Sequence, residues 1–395
     1  MKKVKENKKN KEKKDFFLFT LFNKLAKKIK THKVAKPKTT SQIIHTFFKD
    51  FNEKNSIIQL DDTHYSVCFE YQDISFAKAN YEEQENIFLK WVEFLHSFNY
   101  NDHIQVVCFG TPVKTNDYKQ KFIYNENNLN ENESKVANEF NTLIELAIGD
   151  KEEILCEKRQ VVITTKAESM KEAQDIFLQY QLRTEEKFKE LKSKIKRVNI
   201  VERLGSLYNI FHNELAEENG IDNFIKYAID NKLSIYDVLA PKQDVSFREK
   251  NYIKVGEDKY IRVLYVSKLP KSITPRFYNR ITTITNYNII TTLNITPTDP
   301  AKVIKMVNKK ISGMKDERLK KVKRANKNHY DYALVRDEKL EAKLEDAIEF
   351  RTALTKKKQK SFSTNLLVCI IAENKKELSQ ATDKVNKIAG ENIVT

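Results

Sequence analysis

The chain has 395 residues, of which 40% are hydrophobic, so it is long enough to form two or more domains with buried cores. Its seven glycines are few for this length, which argues against glycine-rich nucleotide-binding loops. The net charge of +16 is concentrated in two places: residues 1–38 carry +12 and residues 299–328 carry +8. The composition therefore indicates two basic loci on an otherwise slightly acidic protein.

The first basic locus is the N-terminal tail, residues 1–40, whose lysine-rich first 15 residues predict disorder. The apolar core of the next stretch, Phe16–Lys30, is too short to span a bilayer, which takes about 20 residues. Its spacing predicts an amphipathic helix lying in the membrane interface, and a helix docking on its own protein or on a partner is the alternative. The predicted membrane contacts are Phe16, Phe17, Leu18, Leu21, Phe22, Lys24, Leu25, Lys27 and Lys28.

The next segment, residues 41–198, shows alternating strand and helix patterns. Three strands are predicted, at residues 63–72, at residues 103–110 with an end near Gly110, and at residues 159–167. A capping box, Asn80 with Glu83, opens the first helix. The second helix covers residues 134–149, and the third begins after Ser169 and is predicted to reach about Lys196.

A connector, residues 199–258, leads to a second segment, residues 259–395, with the same order of elements. A hairpin turning at Gly256 precedes the first strand, and Pro275 and Pro300 each stand at the first position of a predicted helix. The chain therefore predicts an α+β fold of two similar β-α-β-α-β-α units with mixed sheets. The second unit carries a long helical hairpin arm at residues 299–358.

The arm contains the second basic locus. One predicted stripe is formed by Ile304, Val307, Ile311, Met314 and Val322, and the facing stripe by Leu340, Leu344, Ile348 and Leu354. The basic residues beside the first stripe are interpreted either as a solvated face or as a docking surface for acidic protein, lipid headgroups or nucleic acid. The predicted partner-docking residues are Lys309, Lys310, Arg318, Lys320, Lys321, Lys323 and Arg324.

Motifs for catalysis or metal binding are absent from the sequence, so no catalytic, cofactor-binding or metal-binding residue is predicted. Neither GxxxxGK[ST] nor GxGxxG nor HExxH occurs. The polar cluster His212-Asn213-Glu214 is assigned to packing at a helix end. The cysteines, Cys68, Cys108, Cys156 and Cys369, are far apart in sequence, which predicts buried, reduced thiols rather than a zinc site.

Several short motifs in a fixed order support a family resemblance over roughly residues 40–395. They are the strand Tyr65–Tyr71 with Gln72-Asp73-Ile74, then Ile87-Phe88, Trp91, Phe94-Leu95, Leu204-Gly205, Ile210-Phe211-His212, Leu239-Ala240-Pro241, Phe247-Arg248, the basic arm and the strand Asn365–Ala372. In these features the chain resembles the N-terminal, pre-motor region of the conjugation ATPases of type IV secretion systems, above all the TraE/TrsE-like members of Gram-positive conjugative elements.

The resemblance implies a non-catalytic docking scaffold at the cytoplasmic face of the cell membrane. Its implied partners are inner-membrane components of the secretion channel and the anionic membrane surface, with DNA and self-association left open. Family members continue into a motor with Walker motifs, whereas this chain ends at Ile393-Val394-Thr395, in what resembles the last strand before that motor. The expectation is therefore either a truncated or split gene product of such an ATPase or a stand-alone accessory subunit, in both cases without ATPase activity. The alternative is a nucleic-acid-binding accessory protein of a mobile element.

Overall fold

The computed structural model describes residues 48–74, 76, 78–114, 123–124, 130–148, 153–212, 218–241, 243–270, 273, 275–284, 287–327, 330, 337–356 and 359–394. The predicted amphipathic tail, with its membrane-contact residues between Phe16 and Lys28, lies outside this part of the chain.

The first half contains strands and helices, and its first helix follows three consecutive strands. They are β1 (Asp50–Asn52), β2 (Ile57–Gln59), β3 (His64–Tyr71), α1 (Tyr81–His96), β4 (His103–Lys114), α2 (Glu131–Ile148), β5 (Glu153–Lys166), α3 (Met170–Glu190) and β6 (Ile195–Arg197). The second predicted strand thus continues past Gly110 to Lys114, because its last four residues pair with the start of β5.

The strands of the connector and of the second half belong to the same sheet as those of the first half. The connector contains α4 (Ile200–Phe211), α5 (Glu218–Asp230), α6 (Ile235–Leu239), β7 (Val245–Ser246) and β8 (Ile253–Val255). The second half contains β9 (Lys259–Tyr265), α7 (Pro275–Thr282), β10 (Asn288–Pro297), α8 (Pro300–Lys327), α9 (Glu338–Thr355), β11 (Phe362–Ala372) and α10 (Lys375–Glu391).

The strands form one sheet with the order β1-β2-β3-β5-β4-β10-β11-β9-β8-β7, and β6 pairs with β3 beside β2. The predicted α+β class is confirmed, but the predicted mixed sheets are wrong. Each strand pairing found in the described residues is antiparallel. The reason is that β5 inserts between β3 and β4, the two strands that α1 connects, and β11 inserts likewise between β9 and β10.

Strands β4 and β10 join the two halves. Residues 104–109 of β4 pair with residues 290–295 of β10 in antiparallel register. Paired residues point to the same face of a sheet, so Val106 and Leu293 lie together. Leu293 packs against the hydrophobic clusters of both halves. The core is therefore continuous across the joint.

Helices α1, α3, α7 and α10 cover one face of the sheet, which we call the helix face. Under α1 and α3, the rings of Trp91, Phe94 and Phe98 pack edge-on against those of Phe188 and Tyr180, with centroids about 5–6 Å apart. Under α7 and α10, the even-numbered residues of β11 contact Phe277, Leu378 and Ala381 among others. Both cores thus lie on the same side of the sheet.

The connector covers part of the opposite face, and α4 spans between the two halves there. Near its start, the buried Arg203 donates hydrogen bonds to the carbonyl and hydroxyl oxygens of Ser66 on β3, both at 2.8 Å. At its end, the carbonyl oxygen of His212 accepts a hydrogen bond of 2.8 Å from Lys259 of β9. Four strands separate β3 from β9 in the sheet, so this helix holds both halves in one arrangement.

The ends of the helices follow capping rules. The capping box of Asn80 and Glu83 is confirmed, and Asp337 and Asn374 cap α9 and α10. The prediction that the third helix reaches Lys196 is wrong, because Lys192 adopts a φ of 56° and a Schellman motif ends the helix at Glu190. The turn at Gly256 is confirmed, with a φ of 61°. Ile393 also has a positive φ, so residues 392–394 form a turn and not the expected strand.

Burial lowers the pKa of Lys259 from its ordinary value of 10.5 to about 8, because no carboxylate offsets the desolvation of its ammonium group. Between these two values the unfolded chain binds more protons at this site than the folded protein. We therefore expect the free energy of unfolding of the wild type to rise with pH relative to that of a Lys259→Met variant, by up to about 1.4 kcal/mol per pH unit. The relative stability should be constant below about pH 8.

Urea unfolding of both proteins across this pH range measures the difference, with Lys387→Met as a control at an exposed position. Parallel pH profiles for wild type and Lys259→Met would show that the lysine titrates normally in the folded state.

Candidate functional site: a basic helical arm

Helices α8 and α9 form an arm that is attached to the rest of the protein at its base. There, the backbone amide and the hydroxyl group of Thr298 each donate a hydrogen bond of 2.9 Å to the carbonyl oxygen of Ser361. Lys360 donates to the carbonyl oxygen of Phe98 at 3.1 Å, and Phe362 stacks on the His96 ring. A helix of 28 residues extends about 42 Å, so the arm is long compared with its base.

The two helices pack against each other through a cluster of apolar side chains, which we call the apolar seam. Its buried members are Val307, Ile311 and Leu344, and Val303, Met314, Ala347 and Ile348 pack against them. The predicted stripes are confirmed at their centres, whereas Ile304 and Val322 are only half-buried. All members of this cluster belong to the arm, so the arm has its own small core.

Two of the predicted docking residues pair with the other helix of the arm. Arg318 forms an ion pair of 2.9 Å with Glu341, and Lys321 pairs with Asp337, the N-cap of α9. The hydrogen bond from Asp337 raises the pKa of Lys321. These two cations therefore help to hold α8 against α9 and are less available to a partner than unpaired cations.

The opposite side of α8 presents a straight row of lysines, which we call the lysine ridge. Every third or fourth residue along this side is exposed, and six of the eight positions are lysines. The ridge consists of Lys302, Lys305, Lys309, Lys320, Lys323 and Lys327, with Ser312 and Asp316 in the middle. The second group of three repeats the first after 18 residues, which is five helical turns or about 27 Å.

Five predicted docking residues belong to the ridge or lie beside it. Lys309, Lys320 and Lys323 are ridge members, and the exposed Lys310 and Arg324 flank it. The sequence interpretation missed Lys302, Lys305 and Lys327. Their signal was present, because their spacing places them opposite the apolar stripe.

The ridge repels itself electrostatically. Lysines three or four residues apart on a helix destabilise it by about 0.2–0.5 kcal/mol per pair, and the ridge contains four such pairs. Lys302 lies 3.6 Å from Asp299, and the other ridge lysines have no ion-pair partner among the described residues. Lys302 also stands in the first turn of the helix, where the macrodipole disfavours cations. An anionic partner would relieve this repulsion.

A second polar cluster lies in the first half, on β5 and the segment that follows β3. Arg159 of β5 pairs with Glu157 at 3.0 Å and with Asp73 at 2.7 Å. Burial raises the pKa of Glu157, and it also raises the pKa of the neighbouring Cys108 thiol. The guanidinium is already paired with both carboxylates, so we assign the cluster to holding the segment after β3 against β5.

Other candidate chemistry is sparse in the described part of the chain. There, no group of three or more His, Cys, Asp or Glu side chains is placed to hold a metal ion. Cys68 and Cys108 are buried free thiols as predicted, whereas Cys369 is only half-buried. His212 stacks on Tyr208 at 3.7 Å, which fits its predicted packing role at the end of α4. No helix among these residues is long and apolar enough to cross a membrane.

The electrostatic repulsion between the lysines of the ridge predicts that reversing the charge of two of them stabilises the arm. In a Lys305→Glu, Lys323→Glu variant each new glutamate has lysines at i−3 and i+4, so four repulsive pairs become attractive. We expect slower amide hydrogen exchange throughout α8 at low salt. The effect should shrink at high salt, where these exposed charges are screened. Faster exchange in the variant would show that the lysines stabilise the arm in an unrecognised way.

Comparison with known proteins provides no family assignment. No protein-family model matches the chain, and no curated protein matches it either. Because one fold serves many functions, the evidence for function lies in the arm and the residues that it presents.

Proposed function

We propose that the chain is a non-catalytic docking scaffold of a conjugative DNA-transfer machine of the type IV secretion class, held at the cytoplasmic face of the membrane. The observation that carries the proposal is the lysine ridge, a row of six exposed cations on an arm with its own core. Such a surface serves association with an anionic partner better than catalysis, because it offers charge without a concave site.

The arrangement of strands supports the proposed pair of similar units. The first unit would comprise β3, β4 and β5 with α1, α2 and α3, and the second β9, β10 and β11 with α7, the arm and α10. In each the third strand lies between the other two, and the units meet at β4 and β10. Helix α2 and the arm occupy equivalent positions in the two units.

The ridge fits an acidic segment of an inner-membrane channel component. Exposed charges at the rim of an interface mainly accelerate association, and their effect falls with ionic strength. Nucleic acid is the alternative partner. The ridge positions include no aromatic residue and no arginine, so they lack the stacking platforms that single-stranded nucleic acid favours.

The predicted tail helix would add the membrane contact. Its lysines would each contribute on the order of 1 kcal/mol near an anionic surface, and its apolar face would insert between the headgroups. We expect a Leu21→Asp, Leu25→Asp variant to lose most of its binding to vesicles containing anionic lipid. A Thr20→Asp, Asn23→Asp variant carries the same added charge away from the apolar face and should bind more strongly, as measured by co-sedimentation. Equal loss in the two variants would contradict insertion of the apolar face.

The docking role is tested in donor cells that carry the element encoding this chain. Replacing Lys309, Lys320 and Lys323 by glutamate should lower the frequency of DNA transfer at least tenfold, because it reverses the charge at the centre of the ridge. A Lys339→Glu, Lys343→Glu control on α9 alters exposed lysines of the same arm outside the ridge and should transfer normally.

Normal transfer by the ridge variant would contradict the docking role. If instead the wild-type protein binds DNA with a steep salt dependence that the ridge variant loses, the nucleic-acid alternative is correct.

A further inference from the structure

Helix α2 has an apolar side that no described element covers. Val136, Phe140 and Leu143 lie on one side of the helix and are exposed by 67%, 42% and 64%. Among the described helices, α2 is the one without a side chain in any of the four hydrophobic clusters. The helix is therefore amphipathic but contributes to no core in this part of the chain.

Contacts with neighbouring described residues involve only the start and one flank of α2. At its start Asn130 and Glu133 form a capping box, with backbone-to-side-chain hydrogen bonds of 2.9 and 3.0 Å. On one flank Tyr124 exchanges hydrogen bonds with Asn141 and contacts the Phe140 ring. These contacts leave the apolar side open, whereas most of the stability of a helix in a protein comes from the packing of its apolar side.

The charge of α2 restricts what can cover it. The helix carries four glutamates and one lysine, and Glu139 is exposed beside the apolar side. A net charge of −3 disfavours an anionic bilayer and also disfavours pairing with α2 of a second copy. The matching partner is therefore a basic amphipathic helix.

We infer that α2 is the docking site of the chain's own N-terminal segment, Phe16–Lys30. This segment has the complementary pattern, with Leu18, Leu21, Phe22, Leu25 and Ile29 on one predicted face and four lysines but no acid between Phe16 and Lys30. The 17 residues between Lys30 and Phe48 reach about 55 Å when extended, which is enough to cross a domain of this size.

The inference goes beyond the proposed function, because it concerns the protein in the absence of membrane and channel. The tail has one apolar face, so it contacts either α2 or the bilayer at a given moment. Docking on α2 shields that face from water. Since only undocked chains can insert into the membrane, the apparent association constant is the intrinsic one multiplied by the fraction of undocked chains.

Hydrogen exchange of the full chain in buffer without lipid tests the docking. The Leu21→Asp, Leu25→Asp variant removes the apolar match from the tail and leaves every described residue unchanged. We expect amides at residues 134–147 to exchange at least fivefold faster than in the wild type. The Thr20→Asp, Asn23→Asp variant adds the same charge on the other side of the tail and should leave this region within twofold of the wild type.

A disulfide test locates the contact. A Phe22→Cys, Leu143→Cys variant should oxidise to an intramolecular disulfide, whereas a Phe22→Cys, Leu178→Cys control on the exposed surface of α3 should not. Unchanged exchange in the Leu21→Asp, Leu25→Asp variant overturns the proposal. Protection of α2 that disappears on dilution, or a disulfide formed only between chains, overturns it in favour of a second copy. None of these outcomes bears on DNA transfer, so the docking-scaffold proposal stands or falls separately.

Discussion

The pairing of β4 with β10 is the constraint on which the arrangement of the other elements depends. It makes one sheet of two sets of strands and brings Val106 and Leu293 together on the helix face. The hydrophobic clusters below α1 and α7 therefore share a boundary residue, and neither half can shift by one residue without turning its apolar side chains to the opposite face. The long outer segments, α2 and the arm, are attached to strands whose register this joint determines.

On the opposite face, the link between the two halves costs free energy, because it depends on buried cations. Arg203 and Lys259 are both buried, and each donates to neutral oxygen atoms instead of a carboxylate. Burial lowers the pKa of both side chains, so each charge is held at the expense of stability. In return, Arg203 bonds α4 to β3, and Lys259 bonds the carbonyl groups at the end of α4 to β9. These two cations thus link the flanks of the sheet through a single helix.

Much of the local structure could be predicted from the sequence, because its signals are local. Apolar runs indicated β3 and β11, and capping residues such as Asn80 marked helix starts. The end of α3 was missed because Lys192 occupies the left-handed position at which glycine is the usual signal. Sheet continuity and the all-antiparallel pairing depend on contacts between distant residues, and periodicity carries no information about them.

The same limit applies to the arm. A count of basic residues cannot separate Arg318 and Lys321, which pair across the arm, from Lys309 and Lys320, which face solvent. The separation requires the position of α9, and α9 is placed by the apolar seam. Once the seam is known, helix geometry places the six lysines of the ridge on the opposite side of α8.

The two segments inserted between neighbouring strands therefore differ in chemistry. Between β4 and β5, α2 is acidic and leaves its apolar side open, whereas between β10 and β11 the arm buries its apolar side within itself and presents lysines. A helix whose apolar side is buried within its own hairpin can present charged side chains to a partner. A helix whose apolar side is exposed needs another segment to bury it. This difference is why we assign the arm to association with another molecule and α2 to association with the chain's own tail.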